Sequence, residues 1–175
     1  MVKLEYMLKN ILLVIIVVIL DQLSKLWVLH KLLPYETLEL FDAKFFGLNF
    51  FLTYNTGVAF GLFHNASGWQ NSMFLLMTVA AVCIMLYLVI SNKVSDYLEK
   101  LALLLILGGA IGNLIDRIIH KHVIDFIDVY ALVQNQHFHW YTFNIADSLI
   151  CIGVGLLLFK NIFKEHNVLT RISID

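Results

Sequence analysis

Apolar residues gather into four long blocks along this chain, at about 9–29, 69–91, 98–119 and 143–163. Each block is close to the roughly 20 residues that a helix needs to cross a hydrocarbon core, so the pattern predicts four transmembrane helices. Two longer, more polar connections separate them, at 30–68 and 120–142. In the first, Leu48, Phe50, Leu52 and Tyr54 alternate with other residues as the apolar face of a strand would. The stretch 37–46 reads as its partner, and Asn55-Thr56-Gly57 as a turn. A small outer sheet over about 35–65 is expected, lying on the membrane with its aromatics at headgroup depth. The second connection predicts an outer loop with a short helix or strand near 125–133. It ends in Phe138, Trp140, Tyr141 and Phe143, an interfacial belt.

Composition supports lipid as the solvent. Of 175 residues, 60% are hydrophobic and 14% charged, and mean hydropathy is +0.81. Soluble domains are nearer half apolar and a quarter charged. A net charge of -1 says nothing about nucleic acid, and no basic cluster suggests it, so no nucleic-acid partner is expected. The first block contains Asp21 and Lys25 and lacks a small-residue cleavage site, so it is not read as a removable signal peptide. Cys83 and Cys151 sit inside apolar runs without a CxxC and are expected as small buried hydrophobes. Segments 1–10, 91–100 and 160–175 hold Lys3, Lys9, Lys93, Lys100, Lys160, Lys164 and Arg171. The two long connections hold only Lys31, Lys44 and Lys121. This bias predicts that both termini are cytoplasmic and the long connections external. The whole chain, 1–175, reads as one integral membrane domain.

Charges inside a bilayer-crossing helix cost about 2.5–3.5 kcal/mol each, so their positions need a reason. Asp21 lies about 18 Å into the first block at about 1.5 Å per residue, past the midplane on the outer side. Asn113, Asp116 and Arg117 fall near the outer end of the third block, and Asn144 and Asp147 near the outer start of the fourth. Both pairs read Asn-x-x-Asp, a spacing that places two side chains on one helical face. Three blocks therefore converge their polar residues in the outer half of the bilayer. Each residue also has a structural reading. Asp21 and Lys25 can be an i,i+4 ion pair, Arg117 a snorkelling arginine, Asn113 and Asn144 interhelical bridges, and Gly108, Gly109 and Gly112 close-packing positions. Asp128 reads as a solvated loop residue or a cap. Asp147, with no basic residue within a helical turn, is harder to explain structurally.

Two close carboxylates cannot both ionise, so they share a proton and can act together as base and acid on a peptide bond. By position alone, Asp116 and Asp147 form the pair, since both lie on helices. Ser24, Ser72 and Ser148 lack a nucleophile context. His120, His122, His137 and His139 with Asp125 raise a zinc site, but no HExxH exists and HxH spreads its rings on a helix. Surface histidines are the preferred reading, with no metal and no cofactor expected.

At these residues the chain resembles the lipoprotein signal peptidases, the signal peptidase II family. DQLSK (21–25), NTGVAF (55–60), GGAIGNLIDR (108–117) followed by VIDFID (123–128), and FNIADS (143–148) are similar to that family's motifs, in order and across four predicted spans. The resemblance implies an all-α membrane fold with a small β element: four transmembrane helices, an extracytoplasmic β-cradle and a short outer helix. It implies an aspartic endopeptidase of the bacterial cytoplasmic membrane. Its substrates are diacylglyceryl-modified prolipoproteins, cut just before the lipidated cysteine. The implied dyad is Asp125 and Asp147. Asp116 and Arg117 become a supporting pair, Asn55, Asn113 and Asn144 hold substrate and orient the carboxylates, Asp21 and Lys25 brace the site, and Gly57 and Ala146 fall in its motifs. The family commonly has glycine where this chain has Lys121.

A small proton- or ion-coupled carrier is the competing class, since intramembrane Asp, Lys and Arg suit it. Carriers, however, place their sites near the midplane between repeats, and no repeat is visible. A structural subunit pairing its charges with another protein is a third class. Membrane lipid and the lipidated substrate are the expected partners, and a monomer is expected.

Overall fold

In a computed structural model, which describes residues 2–57, 69–91, 94, 96–134 and 136–172, the described residues form four helices and one sheet. The helices are α1 (Val2–Lys31), α2 (Trp69–Ile90), α3 (Tyr97–Ile119) and α4 (Ile145–Ile172). Segments Met7–Lys31, Asn71–Ile90, Tyr97–Ile119 and Ile145–Ile162 are long and apolar enough to cross a membrane. The chain is a multi-pass membrane protein. α3 is the central helix and packs against the other three. Its small residues allow this: a side chain at Gly109 would come within 2.6 Å of the Ala146 carbonyl oxygen on α4, and Ala102 is fully buried. Most other large apolar side chains on α1, α2 and α4 point outward, as expected where the solvent is hydrocarbon. Cys83 and Cys151 are on this outer surface. The expectation that they are buried within the protein is corrected: their runs are apolar because they face lipid.

The sheet is antiparallel, in the order β1 (Thr37–Asp42), β2 (Phe46–Asn55), β3 (Val123–Val133), β4 (Gln136–His139). It rests on the C-terminal end of α1, where Val28 and Leu32 pack under Leu52, Ile124 and Phe126. Trp27 meets Phe50 edge-on, and Phe50 meets Phe126 likewise. The short outer helix expected within 120–142 is not formed: the described residues there supply β3 and β4. VIDFIDVYALV is rich in β-branched and aromatic residues and finds a paired edge on β2. Residues 58–65 of the expected cradle, and 58–60 of the NTGVAF motif, lie outside the described residues.

The β2–β3 ladder carries a bulge. Phe50 pairs with Ile127, but Thr53 pairs with Asp125, so Phe51 and Leu52 together oppose Phe126. Buried positions on β2 accordingly move from Gly47 and Asn49 to Leu52. Of the expected apolar face, Phe50, Leu52 and Tyr54 pack in one cluster with Val28, Ile124 and Phe126. The chain then turns from β4 into α4 through Phe143, whose backbone bridges Ile127. Its carbonyl accepts from Ile127 N at 2.7 Å and Phe126 N at 3.0 Å. That clamp fixes the start of α4 beside Asp125.

Candidate active site

The end of the bundle beneath the sheet holds a buried ionic cluster. Lys25 Nζ lies 2.8 Å from Asp21 Oδ2 and 2.8 Å from Asp116 Oδ2, and donates to Asn113 Oδ1 at 3.0 Å. All three charged groups are 1% exposed or less. Gln22 Nε2 adds a bond to Asp116 Oδ1 at 2.9 Å. Asp21 Oδ1 accepts from Ala146 N at 2.9 Å, and Asp116 Oδ2 accepts from Ile124 N at 3.1 Å. The cluster therefore pins the first turn of α4 and the first residues of β3 to α1 and α3. Any side chain at Gly112 would collide with the Asp21 carboxylate, so glycine keeps this crossing open.

Above it sits an amide–carboxylate chain. Asn144 Nδ2 donates to Asp125 Oδ1 at 2.7 Å and to Asn113 Oδ1 at 3.1 Å. Asn113 Nδ2 donates to Asp147 Oδ1 at 2.7 Å. Asp125 and Asp147 are thus joined through two asparagines. Asn144 precedes α4 and acts as its N-cap: Asp147 N donates to Asn144 Oδ1 at 2.9 Å, while Asp147 Oδ2 accepts from Asn144 N at 3.3 Å. The capping exchange orients both side chains. From the sheet, Asn55 Nδ2 donates to Asp125 Oδ2 at 2.9 Å. Its own Oδ1 accepts from Gly57 N at 2.8 Å. Gly57 has φ +94, a conformation that suits glycine.

A cavity of about 400 Å³ opens over Asp125, lined by Thr53, Asn55, Trp140 and Tyr141 among others. Asp125 is 1% exposed. Burial first, and then the nearby Asp147 charge, push its carboxyl up to about 7, against the bonds from Asn55 and Asn144 and the charge of Lys25. Burial and the same two carboxylates raise the Tyr141 hydroxyl. A carboxyl that holds a proton beside one that is partly open to solvent can act as acid and base on one group between them.

Asp21, Lys25, Asn55, Asn113, Asp116, Arg117, Asp125, Asn144, Ala146 and Asp147 fall in this region, but several roles differ from the positional reading. Asp116 does not pair with Asp147; its ion partner is Lys25, and the carboxylate coupled to Asp147 is Asp125. Asn144 and Asp147 interact as cap and third helical residue, not as two positions on one helical face. Arg117 donates to the Asn113 carbonyl at 3.4 Å and lies in the field of Asp147, Asp125 and Asp116. Asp128 is neither solvated nor a cap but a buried member of β3. Lys121 has φ +67, so it adopts the left-handed turn that glycine makes more easily. Gln22, which sequence reasoning passed over, belongs to the cluster; its place directly after Asp21 was the available signal. Among the described residues, no three His, Cys, Asp or Glu side chains are grouped to hold a metal ion.

Comparison with known proteins adds independent information. A model of the family described as "Signal peptidase (SPase) II" matches residues 13–163. The chain is 38% identical to the lipoprotein signal peptidase of Teredinibacter turnerae over 149 residues, covering 85% of this chain and 84% of that protein. It is 37% identical to the lipoprotein signal peptidase of Polynucleobacter necessarius subsp. necessarius, covering 91% and 92%. A solved bacterial membrane enzyme, determined by the in meso method at 2.3 Å resolution, superposes with a TM-score of 0.75 at 30% identity, over 91% of this chain and 90% of that one.

Proposed function

The chain belongs to the signal peptidase II family, and from that premise we propose that it removes the signal peptide from diacylglyceryl-modified prolipoproteins as an aspartic endopeptidase. Asp125 and Asp147 are the catalytic pair. One observation carries the reading: two carboxylates from distant parts of the chain, Asp125 and Asp147, are coupled through Asn144 and Asn113, and Asp125 lines an open cavity. The ionised member takes a proton from water, whose oxygen bonds to the scissile carbonyl carbon. The protonated member hydrogen-bonds the carbonyl oxygen and then supplies a proton to the departing amine as the C–N bond breaks. The chemistry needs neither a metal nor a covalent enzyme intermediate. Asn55, Asn113 and Asn144 orient the carboxyls, while Asp21, Lys25, Gln22 and Asp116 fix the elements that carry them.

The cut falls just before the lipidated cysteine. Apolar helix surfaces receive the acyl chains, and the cavity beneath the sheet receives the peptide at headgroup depth. The lysine bias of the short segments supports cytoplasmic termini and a site on the outer side of the cytoplasmic membrane. The protein works as a monomer on this reading. The test is a gel-shift cleavage assay on a diacylated preprotein. Asp125→Asn and Asp147→Asn should each abolish turnover in a folded protein; near-normal turnover by either removes that residue from the pair.

A further inference from the structure

β3 carries a second buried carboxylate that the proposed chemistry does not use. Asp128 is 4% exposed and accepts from Asn49 Nδ2 of β2 at 3.1 Å. Its other partner is His139, the last residue of β4, whose Nδ1 lies 2.9 Å from each carboxylate oxygen. The His139 side chain is half open and lines the cavity over Asp125. Trp140, Tyr141 and Thr142 continue the same wall. β4 is only four residues long and sits at the sheet edge. At the cavity end it is held to β3 by the His139–Asp128 contact and by Trp140 N donating to the Val129 carbonyl at 2.7 Å.

We infer that His139 is a positioning residue for the cleavage reaction: its clasp on Asp128 sets the 139–142 wall of the substrate cavity, and its charge sets how firmly. The inference rests on the peptidase reading above. A carboxylate only accepts hydrogen bonds, so His139 Nδ1 carries the hydrogen and Nε2 is the nitrogen that gains or loses a proton. An imidazolium–carboxylate bond is stronger than one from neutral imidazole, and imidazole is the side chain whose charge ordinarily changes between pH 5 and 8. Several groups face His139. Asp128 and Tyr130 approach from β3, the Tyr130 ring centroid at 5.2 Å, and His137 from β4 at 6.2 Å. The Tyr130 hydroxyl donates to Asp42 of β1 at 2.9 Å. In mild acid the wall is clasped. As pH rises the clasp weakens and capture of substrate suffers, while the bond-breaking step does not.

The test separates KM from kcat on a diacylated preprotein between pH 5.5 and 8.5. In the unaltered protein KM should rise about threefold across the range, the scale of a partly exposed ion pair. In His139→Gln, which keeps an N–H donor but cannot ionise, KM should be flat. kcat should follow the same pH curve in both. Trp140 emission should show a pH transition that is absent from His139→Gln and from Trp140→Phe. Asp128→Asn should flatten KM in the same way and replaces His139→Gln if that variant does not fold. A His139→Gln protein whose KM and emission track pH like the unaltered one overturns the inference. If the unaltered protein cuts nothing, the peptidase reading fails and the emission titration alone decides the clasp.

Discussion

Replacing Asp125 by asparagine should stabilise the protein at neutral and alkaline pH while removing its activity. Asp125 holds its proton up to about 7, against an ordinary 3.8. That interval corresponds to about 4 kcal/mol at 1.36 kcal/mol per pH unit. Between these values the folded chain keeps a proton that the unfolded chain has released, so the folded state binds more protons and stability falls as pH rises. The loss is complete above about pH 7 and absent below about pH 4. Asparagine does not ionise and escapes it. Its amide must, however, turn one N–H end toward either Asn144 or Asn55, both donors to Asp125. Losing one such bond costs about 1–2 kcal/mol. The net expectation is a gain of about 2–3 kcal/mol at pH 8 and a loss of about 1 kcal/mol at pH 4. At about 2–4 °C per kcal/mol for a chain of this length, Tm of Asp125→Asn in detergent should exceed the parent's by about 5–10 °C at pH 8 and fall below it at pH 4. A pH-independent difference in Tm, or a less stable variant at pH 8, would refute the claim that burial beside Asp147 strains this carboxyl.

Three further outcomes follow from the site. Lys25→Met leaves Asp21 and Asp116 buried without their cation and should cost about 3–5 kcal/mol, read as a lower Tm with loss of cleavage; adding Asp21→Asn should recover part of it. Lys121→Gly relieves a left-handed backbone at an exposed residue and should raise stability by about 1 kcal/mol, with cleavage unchanged. Cleavage should persist in EDTA, and loss restored by zinc would instead support chemistry at His120, His122, His137 and His139.

The four helices were legible because lipid-facing segments must be apolar all round, as the outward Leu76, Ile84 and Leu158 show. The convergence of Asp21, Asn113, Asp116, Asn144 and Asp147 at one end was legible from depth along those helices. The partner choice was not. Asp116 and Asp125 are nine positions apart, and nothing in their spacing says that the helix residue turns to Lys25 while the strand residue reaches Asn144. That is settled by long-range packing: the Phe143–Ile127 bridge and the Lys25 ammonium. Asp128 was misread for a similar reason, since its partners Asn49 and His139 come from two other strands. β4 was hidden because QHFH carries no clean alternation; only the neighbouring edge of β3 makes it a strand.

The doubled residue at Phe51–Leu52 behaves as a phase boundary. On its far side, odd-numbered positions of β2 are the buried ones; on its near side Thr53 and Asn55, also odd, look into the cavity and meet Asp125. Removing one residue there would invert the near half, taking Asn55 away from Asp125 and toward Ile124 and the α1 packing layer. A one-codon deletion between 50 and 53 would therefore harm the enzyme more than most substitutions in the same strand, because it would misdirect a whole row of side chains at once.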